Sequence, residues 1–198
     1  MKLTHDNGNR GRSDLGTCAM IGAGTVSEGF HAFTILDFAG ESDDGSRGTS
    51  NPVTQDMMVK LRLPLERALR SGHPWIYRRA LCEAPKVAGE VVAVQGRDAR
   101  LVGRGISDDG AIAVRMFTTG DEPVDARLFA ARLAEAVALR ERVLPSETDA
   151  YRLVHGEGDR LPGFVVDIYA AYAVLRFDSP ALHSWLPLWL QALTPYLQ

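Results

Sequence analysis

Val59-Lys-Leu-Arg-Leu-Pro-Leu-Glu-Arg-Ala-Leu-Arg-Ser-Gly-His-Pro-Trp-Ile-Tyr77 changes its period twice within nineteen residues. Val59–Leu63 alternates apolar and basic side chains, which reads as a strand with one face buried. Pro64 suits the first turn of a helix over Leu65–Leu69, and Gly72 ends it. His73–Tyr77 is compact and aromatic. Between residues 60 and 80 there are six Lys or Arg side chains and one acid, Glu66. Cations neutralise phosphates, while aromatic faces and Arg planes stack on unpaired bases. Lys60, Arg62, Arg67, Arg70, His73, Trp75, Arg78 and Arg79, with Tyr77 among them, are therefore candidates for contact with a nucleic acid. The plainer alternative puts Trp75 and Ile76 in a core and the charges on a solvated rim.

The strand pattern continues downstream. Gly89–Gln95, Arg100–Ile106 and Ala111–Phe117 are short apolar runs, and Ser107-Asp-Asp-Gly110 is a turn between the last two. Short strands at close spacing with Gly-rich turns predict a small β-barrel. The period then becomes helical. Asp125 is placed to cap a helix running to about Val143. Leu128, Phe129, Leu133, Ala136, Val137 and Leu144 share one face, with Arg132, Glu135, Arg140 and Glu141 mostly opposite. Strands follow at Tyr151–His155, Phe164–Tyr169 and Tyr172–Phe177. A final amphipathic helix over Pro180–Leu197 carries Leu182, Trp185, Leu186, Trp189 and Leu193, an apolar face larger than a small domain covers. The fold class is α+β: a barrel over residues 58–124, then an α/β domain of strands and two helices over 125–198.

Residues 1–57 differ in character. They are rich in Gly, Ser, Asp and Asn, and the run Gly40–Pro52 has little to bury, so the extension reads as largely loop or disordered. Phe30–Phe38 is an apolar patch long enough for one strand but without an evident partner. Met20-Ile-Gly-Ala-Gly-Thr-Val26 invites a nucleotide-binding reading but lacks the preceding strand, third glycine and following helix that such a loop needs. Met57 and Met58 stand directly before the ordered pattern, and the natural start is expected there.

Charge sharpens the division. Residues 1–57 carry 4 basic and 8 acidic side chains, residues 58–124 carry 11 and 8, and residues 125–198 carry 7 and 9. The middle third is thus the part suited to a polyanion. Cys18 and Cys82 are too few and too far apart for a disulfide framework or a metal knot. No apolar run approaches the roughly 18 residues that a membrane helix needs. The last helical segment is broken by Pro187 and Pro195. The expected compartment is the cytoplasm. In His155-Gly-Glu-Gly-Asp-Arg-Leu-Pro-Gly-Phe-Val-Val-Asp167, the carboxylates Glu157, Asp159 and Asp167 suit either a metal or acid–base set, or, as preferred here, hydrogen bonds to the turn backbone.

Two of these stretches together resemble a known family. Leu61–Tyr77 resembles the opening of the PUA domain, a small RNA-binding barrel, in the S-adenosylmethionine (SAM)-dependent large-subunit rRNA methyltransferases that modify cytosine at C5. Gly103-Arg-Gly105 with Ile112–Arg115 resembles later strands of the same barrel. Tyr151–Asp167 is similar to the signature of that family's central domain, with Ile168 standing where the family often has Arg or Lys. The resemblance covers about residues 58–198. It implies structured rRNA as the partner. It also implies that SAM and the attacking cysteine belong to a catalytic domain beyond this stretch. Cys82 lies in the barrel without an activating motif and does not replace that cysteine. No catalytic residue, cofactor site or metal site is expected in the chain itself. Expected roles are the RNA-recognition portion of such an enzyme, a subunit completed by a separate SAM-domain polypeptide, or a remnant without function; a second copy of the chain is a further expected partner.

Overall fold

The computed structural model describes residues 57–170 and 172–196, together with the backbone of two short segments, Cys18–Gly24 and His31–Ala32. Thirteen elements position everything discussed below. Strands β1 (Cys18–Gly24), β2 (His31–Ala32) and β3 (Met57–Lys60) are followed by helix α1 (Glu66–Arg70) and strand β4 (Trp75–Tyr77). Next come β5 (Val91–Gln95), β6 (Leu101–Ser107), β7 (Ile112–Met116) and the long helix α2 (Ala126–Val143). Strands β8 (Ala150–His155), β9 (Phe164–Tyr169) and β10 (Tyr172–Phe177) then lead to α3 (Leu186–Leu193).

One sheet has the order β3-β5-β6-β7-β4. Its ends approach one another: Leu61 bridges Leu81, Arg62 N donates to Ala80 O, and Cys82 N donates to Lys60 O. The chain leaving β4 therefore runs back along the chain leaving β3, and the sheet curls into a small barrel. Its interior is Val59, Leu61, Leu69, Ile76, Val92, Val94, Val102 and Val114 with their neighbours. The Gly103-Arg-Gly105 motif has a steric reason here. A Cβ on Gly103 would lie 2.0 Å from Thr118 O, and one on Gly105 would lie 2.3 Å from Arg115 O. The β6–β7 backbones approach too closely for any side chain. Arg104 O accepts from both Phe117 N and Thr118 N, which bends β7 out of the barrel toward α2.

The second sheet has the order β2-β1-β10-β9-β8, with antiparallel neighbours throughout. One face packs against α2 and α3. Phe117, Phe129, Phe164, Phe177 and Trp189 form a connected aromatic core, with the Phe164 and Trp189 ring centroids 4.7 Å apart. Asp125 caps α2 as expected, accepting from Arg127 N at 2.9 Å and Leu128 N at 3.0 Å.

Four sequence expectations need correction. Arg132 is not opposite the apolar face of α2; it lies within it, 5 % exposed, because position 132 falls between Leu128 and Ala136 at helical spacing. The last helix is not continuous. Pro180–Trp185 and Thr194–Tyr196 are 3-10 turns on either side of α3. Its apolar face is also covered by the chain's own core, with Leu182, Trp189 and Leu193 fully buried and Trp185 and Leu186 packed beside them. Met20-Ile-Gly-Ala-Gly24 belongs to β1, paired antiparallel with β10, which agrees with the rejection of a phosphate loop. Finally, the Phe30–Phe38 patch does have a strand partner, since His31–Ala32 within it pairs with Ala23–Gly24 of β1. The rest of the extension lies outside the described residues. No helix among the described residues is long and apolar enough to cross a membrane.

Candidate nucleic-acid interface

The barrel brings the sequence-predicted cations onto adjoining surface. Lys60, Arg62, Arg67, Arg70, Arg78 and Arg79 are all exposed. Lys60 and Arg62 leave the end of β3 beside Arg79, because residues 60–62 run against 80–82. Arg67 and Arg70 occupy α1. Two of the six have structural duties. Arg62 donates through Nε and Nη2 to Arg79 O, tying the β3–α1 connection to the 3-10 turn over Arg78–Ala80. Arg78 donates to Gly110 O and Asp108 O, anchoring that turn to the β6–β7 loop. Their acceptors are neutral carbonyls, so both keep a net positive charge. Among the described residues, the side chains of Lys60, Arg67, Arg70 and Arg79 form no ion pair. A surface cation without a carboxylate partner can meet a phosphate at no cost in broken pairs.

The β5–β6 hairpin tip carries two further cations that the sequence reading did not single out, both paired with carboxylates. Glu66 of α1 accepts from Arg97 N at 2.9 Å and Arg97 Nε at 3.3 Å, which holds Arg97 beside α1 as an ion pair, while Arg100 faces Asp98 at 3.9 Å. The Arg97 amide, with the side chain's hydrogen bond and charge, keeps the Glu66 carboxyl below the usual carboxylate range against a small desolvation effect.

The aromatic residues divide. Ile76 is fully buried in the barrel core, as the plainer reading had it. Trp75 is half-buried, and its Nε1 donates to Glu157 Oε1 at 3.0 Å. Its ring meets His73 edge-on, with centroids 6.2 Å apart. Tyr77 is the ring offered to solvent, at 40 % exposure, next to Arg78 and Arg79.

The Trp75–Glu157 bond joins the two sequence signatures, which lie 82 positions apart. A polar ladder continues from it across the junction of the two sheets. Arg115 Nη1 lies 4.0 Å from Glu157 Oε1, and Arg115 Nε donates to Asp108 Oδ2 at 3.0 Å. Asp108 Oδ1 accepts from Ser179 Oγ at 2.9 Å and Gly110 N at 3.1 Å. Burial alone would raise the Asp108 carboxyl; the Gly110 amide, the Ser179 hydroxyl and Arg115 together hold it below its ordinary value. Arg132 crosses the same junction, donating to Phe117 O and Arg160 O. Burial lowers its pKa to about 10, and Arg160's charge adds to that.

The remaining acids of the central signature are also engaged. Asp159 receives both terminal nitrogens of Arg140 at 2.7 Å and the His155 amide at 2.6 Å. Asp167 on β9 pairs with Arg152 on β8. The expected backbone hydrogen bond is thus found at Asp159, while Glu157 and Asp167 serve side chains. Among the described residues no group of His, Cys, Asp and Glu is arranged to hold a metal ion. Cys82 is an exposed free thiol.

Residues 59–119 match the model of the PUA-like domain family. Over 132 residues the chain is 36% identical to the ribosomal RNA large subunit methyltransferase I of Shewanella amazonensis, covering 64% of this chain and 33% of that protein. It is 38% identical over 126 residues to the enzyme of the same name in Alteromonas mediterranea, covering 61% of this chain and 32% of that one. It is 33% identical over 141 residues to the ribosomal RNA large subunit methyltransferase of Deinococcus radiodurans, covering 65% and 34%. The chain spans about a third of the length of these curated relatives. Among solved structures, a putative SAM-dependent methyltransferase from Streptococcus mutans superposes with a TM-score of 0.61 at 15% identity, covering 70% of this chain and 37% of that one. That likeness is one of fold.

Proposed function

We propose that this chain is the RNA-recognition portion of a SAM-dependent large-subunit rRNA methyltransferase of the cytosine-C5 class, and that it is not catalytic by itself. The observation that carries this reading is the set of exposed cations without carboxylate partners among the described residues, Lys60, Arg67, Arg70 and Arg79, together with exposed Tyr77, on a PUA-like domain. The working division is a PUA-like domain over 58–124 and a central α/β domain over 125–198. His73 and Trp75 contribute at the edge of the surface, where the second domain holds Trp75 in place through Glu157. Arg62 and Arg78 shape the surface and add charge to it.

We assign the methyl donor to a site outside the described residues. A SAM site of the Rossmann type needs a parallel strand running through a glycine-rich turn into a helix. Here the second sheet is antiparallel, and the one parallel pair, β3 with β5, is joined through α1 and β4. The attacking cysteine and SAM are assigned to the part of the relatives outside the matched third. Methyl transfer by the purified chain alone would overturn this assignment. The cytoplasm, where rRNA is processed, is the proposed compartment.

The RNA reading is tested by titrating labelled large-subunit rRNA fragments against the chain at several salt concentrations. Each phosphate contact contributes about 0.9 to the slope of log affinity against log salt. The double variant R67E/R70E is therefore expected to bind more weakly and to flatten the slope by about two. An unchanged slope would refute the surface.

A further inference from the structure

A cleft of about 160 Å³ opens where α1 and the loop after it face the turn at residues 156–160. Its apolar floor is Leu69, Met116, Phe117 and Pro162, and His73 stands in its wall. Its polar lining is mixed. Glu122 and Glu157 bring carboxylates, and Arg132 and Arg160 bring guanidinium groups. We propose that this cleft receives one unpaired base of the bound RNA, and that the base carries an exocyclic amino group. The proposal rests on the RNA reading above and specifies what the junction between the two sheets reads.

Three observations support a base over another occupant. The volume is well below the roughly 300–1,000 Å³ typical of sites for drug-sized ligands, which suits a single ring system rather than a whole nucleotide or a larger cofactor. The apolar floor suits a planar heterocycle and gives nothing to a phosphate. The two guanidinium groups are already engaged, Arg132 with the Phe117 and Arg160 carbonyls and Arg160 with Glu135, so the cleft has no spare positive charge for a phosphate, whereas an exocyclic amino group on a base edge can donate to Glu122 or Glu157. Glu157 is partly held already: its Oε1 is taken by Trp75, with Arg115 at 4.0 Å, and among the described residues its Oε2 is unengaged. The carboxylate is thereby oriented before any RNA arrives. Adenine, cytosine and guanine have an exocyclic amino group to offer, and uracil does not.

The position also fits. Leu69 and Gly72 of the lining lie within two residues of Arg67 or Arg70, so a strand whose phosphates lie along α1 passes close to the cleft. An unstacked base can then turn inward, as bases of single-stranded loops do in sequence-specific RNA recognition.

The experiment uses the full chain. RNA hairpins with randomised loops are selected for binding, and the selected hairpins are measured against wild type and T119W. Thr119 is exposed at the cleft rim, and an indole there fills the space without touching either core. Selected loops are expected to hold one position that excludes uracil. Removing the base at that position, or making it uracil, should cost wild type about tenfold in affinity. T119W should show the same loss for the parent hairpin and no further loss for the altered one. Binding of the parent hairpins by T119W at wild-type affinity, or loops enriched without any base preference, would overturn the cleft while leaving the cationic surface intact. No hairpin or rRNA binding by wild type would instead overturn the RNA reading on which the cleft depends. Unchanged binding of blunt duplex RNA by T119W checks that the variant is folded.

Discussion

Asp159→Ala tests whether the central turn is held by charge. Arg140 and Asp159 form a two-pronged pair with both contacts at 2.7 Å, and their side chains are 13% and 8% exposed. Asp159 also accepts the His155 amide. Removing the carboxylate leaves a largely buried guanidinium without its partner and an amide without its acceptor. Breaking one side of a buried pair costs about 3–5 kcal/mol. Arg140 keeps its bond to Arg152 O and lines an open groove, so the lower end applies, about 3 kcal/mol. In urea that loss moves the unfolding midpoint down by about 1.5 M, for a slope near 2 kcal/mol per M. The double variant R140M/D159A should recover much of it, because no orphan charge remains. The pair also has a pH signature. Burial would raise the Asp159 carboxyl, but Arg140's hydrogen bonds, the His155 amide and Arg140's charge more than offset that and hold it below 3.8. Its stabilisation is therefore complete above the unfolded value and is lost as pH falls through the lower folded value. Wild type should lose stability on acidification below about pH 4, and D159A should lose less over that range. A single-variant loss under 1 kcal/mol, or a double variant as weak as the sum of its singles, would refute the argument.

Two further substitutions probe the two cores. G103A should destabilise by about 3 kcal/mol or more, because the added methyl meets a backbone carbonyl, which cannot rotate away as a side chain can; thermal unfolding within a degree of wild type would contradict the close approach of β6 and β7. W189A should cost about 4 kcal/mol, since Trp189 is 1% exposed and packs between Phe129 and Phe164; a small loss in denaturant titration would place α3 outside the core.

Local pattern settled most of the elements. Strand-like apolar runs placed β9 and β10 at their observed residues, and the Asp125 cap with its following 3.6 period placed α2. These are short-range effects, in which neighbouring residues determine which backbone form buries the apolar ones. The cations were legible for a related reason. Six charges against one acid in a short span have few local partners to neutralise them, and exposure of all six followed. Other features depended on partners far along the chain. No local pattern marks Glu157 as the acceptor for Trp75, or Asp108 as the shared partner of Arg115 and Ser179, because each pairing spans a fold not yet formed. Arg132 was missed although its spacing was visible. A charge at an apolar position reads as exposed until two carbonyls from different loops are found to receive it.

The sequence by itself determined most of the strands and helices from Met57 onward and which stretch of chain carries the positive charge, since hydrophobic period and net charge act within a few residues. Only the tertiary structure decided that Trp75 is pinned while Tyr77 is free, that the last helix is covered from within, and that a cleft lies between the two signatures. Those outcomes depend on packing between segments up to 96 positions apart, as between Trp185 and Gly89, and burial at that range is a property of the folded whole.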